Sequence, residues 1–129
     1  MNDDARRRDA MPFRELVAWA WEETPPVHKN GTNLMIHLFA VPLLVVGHVV
    51  AVIGIVILTG WAVVLGLGSI VVSLILQKRG HALEENPVHA FSSMRDFIRR
   101  LYAEQFWNFW RFLFSGQWYA SYQRAKASG

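Results

Sequence analysis

Residues 30–77 contain no Asp, Glu, Lys or Arg, an uninterrupted uncharged run of 48 residues. A single bilayer crossing takes about 20 apolar residues as a helix, so this run is long enough for two crossings joined by a tight turn. A helical hairpin returns both of its ends to the same membrane face. His37 lies just inside the start of the run and His81 just past its end. Measured from Gly60, the two arms reach roughly 35 and 32 Å at 1.5 Å per residue, so the hairpin brings both histidines to one depth. The expected fold class is an all-α membrane protein, a transmembrane helical hairpin flanked by N- and C-terminal interfacial or membrane-associated helices.

The rest of the composition narrows the chemistry. With 129 residues, 53% of them hydrophobic, residues 1–129 read as a single membrane-embedded domain with no room for a separate soluble enzyme. There is no cysteine, which excludes disulfides, zinc–thiolate sites and a thiol nucleophile. A metal would have to rest on imidazole nitrogen and on carboxylate or carbonyl oxygen. Residues 1–29 carry five basic and six acidic groups, and residues 78–129 carry eight basic and four acidic ones. A basic, aromatic-rich C-terminal part beside a membrane hairpin suits anionic lipid headgroups. Nucleic acid is a poor partner for basic groups so dispersed and so close to lipid. A hairpin of this size is also compatible with a homo-oligomer.

Along the chain, residues 1–11 form a polar, frayed leader. Pro12 can start a helix whose apolar face is Phe13, Leu16, Val17 and Ala20, with Trp19 and Trp21 at the interface, and Pro25 and Pro26 end it. The sequence HKNGTN at 28–33 is turn-like, with Thr32 or Asn33 as the cap of the next helix. The first span runs over 34–58, kinked at Pro42, and the second over 61–81, with Thr59 and Gly60 as the turn. Lys29, Lys78 and Arg79 flank the hairpin and place both termini on the cytoplasmic side, of a bacterial inner membrane or of the endoplasmic reticulum in a eukaryote. Ala40, Gly47, Ala51 and Gly54 in one span, and Ala62, Gly66, Ser69 and Ser73 in the other, form small-residue stripes that let two helices approach closely in lipid. Pro87 stops the second helix. Residues 92–115 read as an aromatic interfacial helix capped by Ser92 or Ser93. Its apolar face contains Met94, Phe97, Ile98, Leu101, Phe109, Phe112 and Leu113. Arg95, Arg99, Arg100 and Arg111 lie within reach of headgroups, and Gly116 ends the helix.

Helical arithmetic sorts the five histidines. His48 lies about 16 Å below His37 along the same helix, too far to share an ion, and reads as a histidine hydrogen-bonded within the bundle. His89, beyond Pro87, reads as a surface residue. His28, in the polar turn, can fold back towards His37. Gln77, His81 and Glu84 share one face at the end of the second helix, and His81 and Glu84 have the i, i+3 spacing of imidazole and carboxylate used in bundle metal sites. The candidate constellation is therefore His28, His37 and His81 as metal ligands, and Glu84 as ligand or neighbour. Asn30, Asn33 and Gln77 are hydrogen-bonding partners around it. Such donors suit Fe(II), Mn(II) or Zn(II), and a polar collar of histidines reaching for water is the simpler alternative.

The histidine blocks resemble a known family. HKNGTN at 28–33 followed by His37 is similar to the H-x-N-P-x-N-x-x-x-H pattern of the 2-hydroxy fatty acid dioxygenase family, known from yeast phytosphingosine breakdown. GHALEENP at 80–87 resembles its second block, G-H-x-x-E-x-N-x-P, and residues 104–118 look like the aromatic tail of its small bacterial members. Gly31 stands where the family has Pro, Leu34 and Met35 replace a basic pair, and Ala40 replaces a common Gly. The resemblance implies an Fe(II)-dependent membrane enzyme that uses O₂ to shorten a 2-hydroxy fatty acid by one carbon, with His28, His37 and His81 as essential residues. On that reading Lys78, Arg79 or Arg95 would steer the substrate carboxylate. The alternatives are a non-catalytic scaffold or lipid-binding protein, and a different metalloenzyme acting on lipid.

Overall fold

The computed structural model describes residues 2–129. It is 80% helical, and no strand occurs among the described residues. The helices are α1 (Asp3–Ala10), α2 (Phe13–Glu23), α3 (Gly31–Val56), α4 (Gly60–His81), α5 (Met94–Ala103), α6 (Phe109–Phe114) and α7 (Gln117–Ser128). A 3₁₀ turn (Pro25–Val27) links α2 to α3, and a π-helical segment (Glu104–Asn108) joins α5 to α6.

The hairpin of α3 and α4 forms as expected, and both helices are long and apolar enough to cross a membrane. The small-residue stripes are its seam. A Cβ on Gly47 would come within 2.8 Å of the Gly66 carbonyl oxygen, and one on Gly54 within 2.7 Å of the Val63 nitrogen. The outer surface is the reverse of a soluble protein's: Val56, Val64 and Trp61 are each more than 70% exposed. α3 continues through Pro42 as one helix.

The turn differs in detail from the expectation at Thr59 and Gly60. Leu58 takes the left-handed conformation (φ 52°), while Gly60 is already the first residue of α4. The Thr59 N–H reaches back to the Gly54 carbonyl at 2.8 Å, a closure that places the positive φ one residue earlier.

Two further expectations are corrected. Residues 3–10 are a helix capped by Asn2 rather than a frayed leader, because Arg8 is drawn inward to Asp96 at 3.6 Å and to the Ala90 carbonyl at 3.0 Å. Arg99 donates to the Met11 carbonyl and Arg95 to that of Asp9, so both side chains bind the end of α1. The C-terminal helix is also turned differently. Asp96, Arg100, Gln105 and Asn108 are buried, whereas Met94, Ile98, Tyr102, Phe106 and Trp107 face out. The expected apolar face is thus split: Phe109 and Phe112 join Leu34, Val41 and Trp118 in the core, and Met94 and Ile98 do not.

Candidate metal centre

His28 stands at the end of the 3₁₀ turn, His37 in the second turn of α3 and His81 at the last residue of α4. Three separate elements therefore contribute one imidazole each. One ring nitrogen from each lies within 4.8 Å of the others, and the ring centroids are 4.6 to 5.0 Å apart. His28 and His37 are buried and His81 is partly so.

Backbone carbonyls fix the tautomers. His28 Nδ1 is 2.7 Å from the Thr24 carbonyl oxygen, and His37 Nδ1 is 3.0 Å from that of Asn33. A carbonyl can only accept, so both Nδ1 atoms carry hydrogen and both Nε2 atoms present lone pairs. Nδ1 of His81 is buried with no hydrogen-bond partner. Burial pushes His28 down to about 4, so this ring is neutral at physiological pH although its Thr24 bond pulls the other way. Neutral imidazoles that point lone pairs at one another repel unless a cation lies between them. The donor set fits a divalent metal of borderline softness, Fe(II) included.

Glu84 takes a different place from the one its spacing suggested. Its carboxylate accepts from the backbone N–H groups of Lys29 and Asn30 at 3.0 to 3.1 Å, and from Asn33 Nδ2 at 2.6 Å. It therefore sits at the positive end of α3, where an anion is stabilised, and is not among the three converging imidazoles. Its link to the cluster is Asn33, whose carbonyl holds His37. Asn33 also donates from Nδ2 to the Val27 carbonyl at 3.2 Å, tying in the segment that carries His28. The cap of α3 is Asn30, not Thr32 or Asn33; its side chain accepts from the Asn33 N–H at 3.1 Å. Gly80 makes this join possible, because a Cβ there would collide with Asn33 Oδ1.

The histidines open onto a cavity of about 500 Å³ with walls that include Val41, Leu74, Phe91, Phe97 and Leu101. Gln77 lines it through a reciprocal amide pair with Gln105, at 2.7 and 2.9 Å, instead of touching a histidine. Lys78 lines the cavity, as does Arg100, which the sequence had placed at the headgroups. Arg79 and Arg95 are not on its wall. Glu104 also lines it, and burial raises its carboxyl to about 7 against the pull of Arg100. The sequence reading missed Glu104 as a functional candidate. The available signal was its i+4 and i+8 spacing from Arg100 and Asp96, a charged stripe within an otherwise aromatic helix.

The remaining histidines lie elsewhere. His48 bonds the Leu44 carbonyl at 2.9 Å and the Tyr102 hydroxyl at 3.3 Å, within the bundle as expected. His89 is an exposed partner of Glu23 at 2.8 Å. Comparison with protein-family models, curated proteins and solved structures yields no match to this chain.

Proposed function

We propose that this protein is a membrane-embedded, Fe(II)-dependent dioxygenase that shortens 2-hydroxy fatty acids by one carbon. One observation carries the reading: three imidazoles from three elements converge at the end of a hairpin and open onto an apolar-walled cavity of about 500 Å³. Iron held by His28, His37 and His81 would supply the capacity to activate O₂. The protein supplies the rest. Three neutral ligands leave room for a substrate carboxylate and hydroxyl, and the apolar walls can take the acyl chain beside them. Lys78 is the cation placed to meet the carboxylate. The flanking positive charges further support an orientation with both termini and the site at the cytoplasmic face.

The stoichiometry needs no outside reductant. A 2-hydroxy acid and O₂ balance to the one-carbon-shorter acid, CO₂ and water, and the four electrons lost by the two carbons are the four that O₂ accepts.

Anaerobic purification in detergent, iron quantitation and incubation with 2-hydroxyhexadecanoic acid test the reading. One iron per chain and O₂-dependent formation of the pentadecanoic acid are expected. A protein that binds iron but oxidises or hydrolyses lipid without losing a carbon would be a different metalloenzyme. One that retains no metal would be a scaffold or lipid-binding protein.

A further inference from the structure

Among the described residues, Glu104 is the one carboxyl group on the wall of the histidine cavity. It opens the π segment, in which the Phe109 N–H bonds the Glu104 carbonyl across five residues. Interruptions of this kind re-aim side chains and recur at functional sites.

The cations near Glu104 are otherwise engaged. Arg100, one turn earlier, lies 3.7 Å from Asp96 and donates to the His89 carbonyl at 2.8 Å, while Arg8 of α1 meets the same Asp96. Glu104 has no ion pair among the described residues. From the end of α2 it meets the Thr24 side chain. The Thr24 hydroxyl also donates to the Ala20 carbonyl at 2.9 Å. Burial favours the protonated carboxyl, whereas Arg100 and Thr24 favour the carboxylate, and with Glu104 raised to about 7 both forms are populated near neutral pH.

The other ionisable groups facing the cavity are unsuited to cycling a proton. His28 and His37 have their Nδ1 hydrogens fixed on carbonyls and their other nitrogens directed to the cluster. His81 belongs to the same cluster, Lys78 is an exposed cation, and Gln77 and Gln105 cannot titrate.

We propose that Glu104 is a further catalytic residue, the carboxyl that exchanges a proton with the 2-hydroxyl of an acid lodged beside the three histidines. This role rests on the dioxygenase reading. The hydroxyl O–H bond breaks and its proton passes to the Glu104 carboxylate. O₂ is the four-electron oxidant: the C1–C2 and C2–H bonds break, C1 leaves as CO₂, one oxygen of O₂ bonds to C2 to complete the new carboxylate, and the other leaves as water with the C2 hydrogen and the proton that Glu104 returns.

The test uses full-length, iron-loaded protein with Glu104→Gln and Glu104→Asp. General acid–base groups contribute typically 10²–10⁴-fold, so Glu104→Gln should lower kcat at least about 100-fold. Iron content should stay equal to wild type and KM within about threefold. Glu104→Asp should recover part of kcat with an altered pH midpoint, and it carries the kinetic test alone if the Gln variant does not fold. An independent readout is infrared titration of the iron-free protein, where a protonated carboxyl band present at neutral pH should vanish in Glu104→Gln. A kcat within threefold of wild type, loss of iron, or persistence of that band would overturn the proposal. Wild type that fails to consume O₂ with 2-hydroxyhexadecanoic acid would overturn the dioxygenase reading and the turnover role with it. The infrared band would then still report whether Glu104 holds the proton.

Discussion

Replacing Gly80 with Ala adds a single methyl group at the join that carries the site. That carbon would collide with Asn33 Oδ1, lie 3.3 Å from Asn33 Cγ and 3.5 Å from Ile36 Cδ1. Asn33 has little freedom to yield, since its amide is bound to the Val27 carbonyl and Glu84 and its carbonyl to His37. Either the tail of α4 moves off the head of α3 or these bonds break. Overpacking of this kind costs about 1–3 kcal/mol, and the better helix propensity of Ala returns up to about 1 kcal/mol. A net loss of about 1–2 kcal/mol is expected, with iron affinity lowered about 10- to 100-fold as the partners that orient the imidazoles are displaced. Competition with a chromophoric chelator and thermal unfolding in detergent measure the two effects. Gly68→Ala is the control, because nothing lies within 4 Å of a Cβ on Gly68 in the same helix. It should keep full iron affinity and equal or higher thermal stability. If Gly80→Ala binds iron like wild type and unfolds at the same temperature, the contact with Asn33 does not hold the site.

His28→Ala, His37→Ala and His81→Ala should each abolish iron retention and turnover, whereas His48→Ala and His89→Ala should retain both; metal analysis and product assays on folded variants decide. Glu84→Gln keeps the shape but loses the charge that receives the Lys29 and Asn30 N–H groups, so iron should bind about 10-fold more weakly while saturating Fe(II) restores turnover. A loss of activity that iron cannot rescue would give Glu84 a direct part. For pH, the lowered His28 value makes its contribution to apo-protein stability complete above 6.5 and lost as pH falls towards about 4, while the raised Glu104 value makes a contribution complete below 4.5 and lost as pH rises towards about 7. These slopes oppose each other, so Glu104→Gln should make apo-protein stability rise more steeply with pH between pH 4.5 and 6.5 than in wild type; an equal slope in the two proteins would contradict it. A reporter fused after Gly129 should read as cytoplasmic, and an external signal would refute the assigned orientation.

The hairpin and the meeting of its histidines were legible because few physical choices were open. An uncharged run of that length admits helices, and a fixed rise per residue returns His37 and His81 to one level. The closing contacts were less legible. Spacing put Glu84 on the face of His81, but it could not tell that the head of α3 offers two free N–H groups nearer to hand. Nor does a periodic pattern reveal that residues 3–10 hold together through Arg8 and Asp96, 88 positions apart in sequence.

The largest error, the orientation of the C-terminal helix, has one physical source. An apolar stripe marks a buried face only when the other side meets water. Beside a hairpin whose outer surface is itself apolar, the polar residues can turn inward to find partners: Asp96 meets Arg8, Gln105 meets Gln77, and Asn108 donates to the Val17 carbonyl. The π segment then adds its own shift. Buried positions run 96, 100 and 103, with Gln105 beside them, and a regular helix would continue at 107, but Trp107 is 63% exposed and residue 108 is buried instead. One residue of register is absorbed between Glu104 and Asn108, which brings Phe109 and Phe112 into the core beneath the site. Without that shift Trp107 would occupy the inward position and Asn108 would turn away from α2. The inserted residue thus joins a polar half-helix that braces α1 and the cavity to an apolar half-helix that completes the core, and Glu104 stands at the junction.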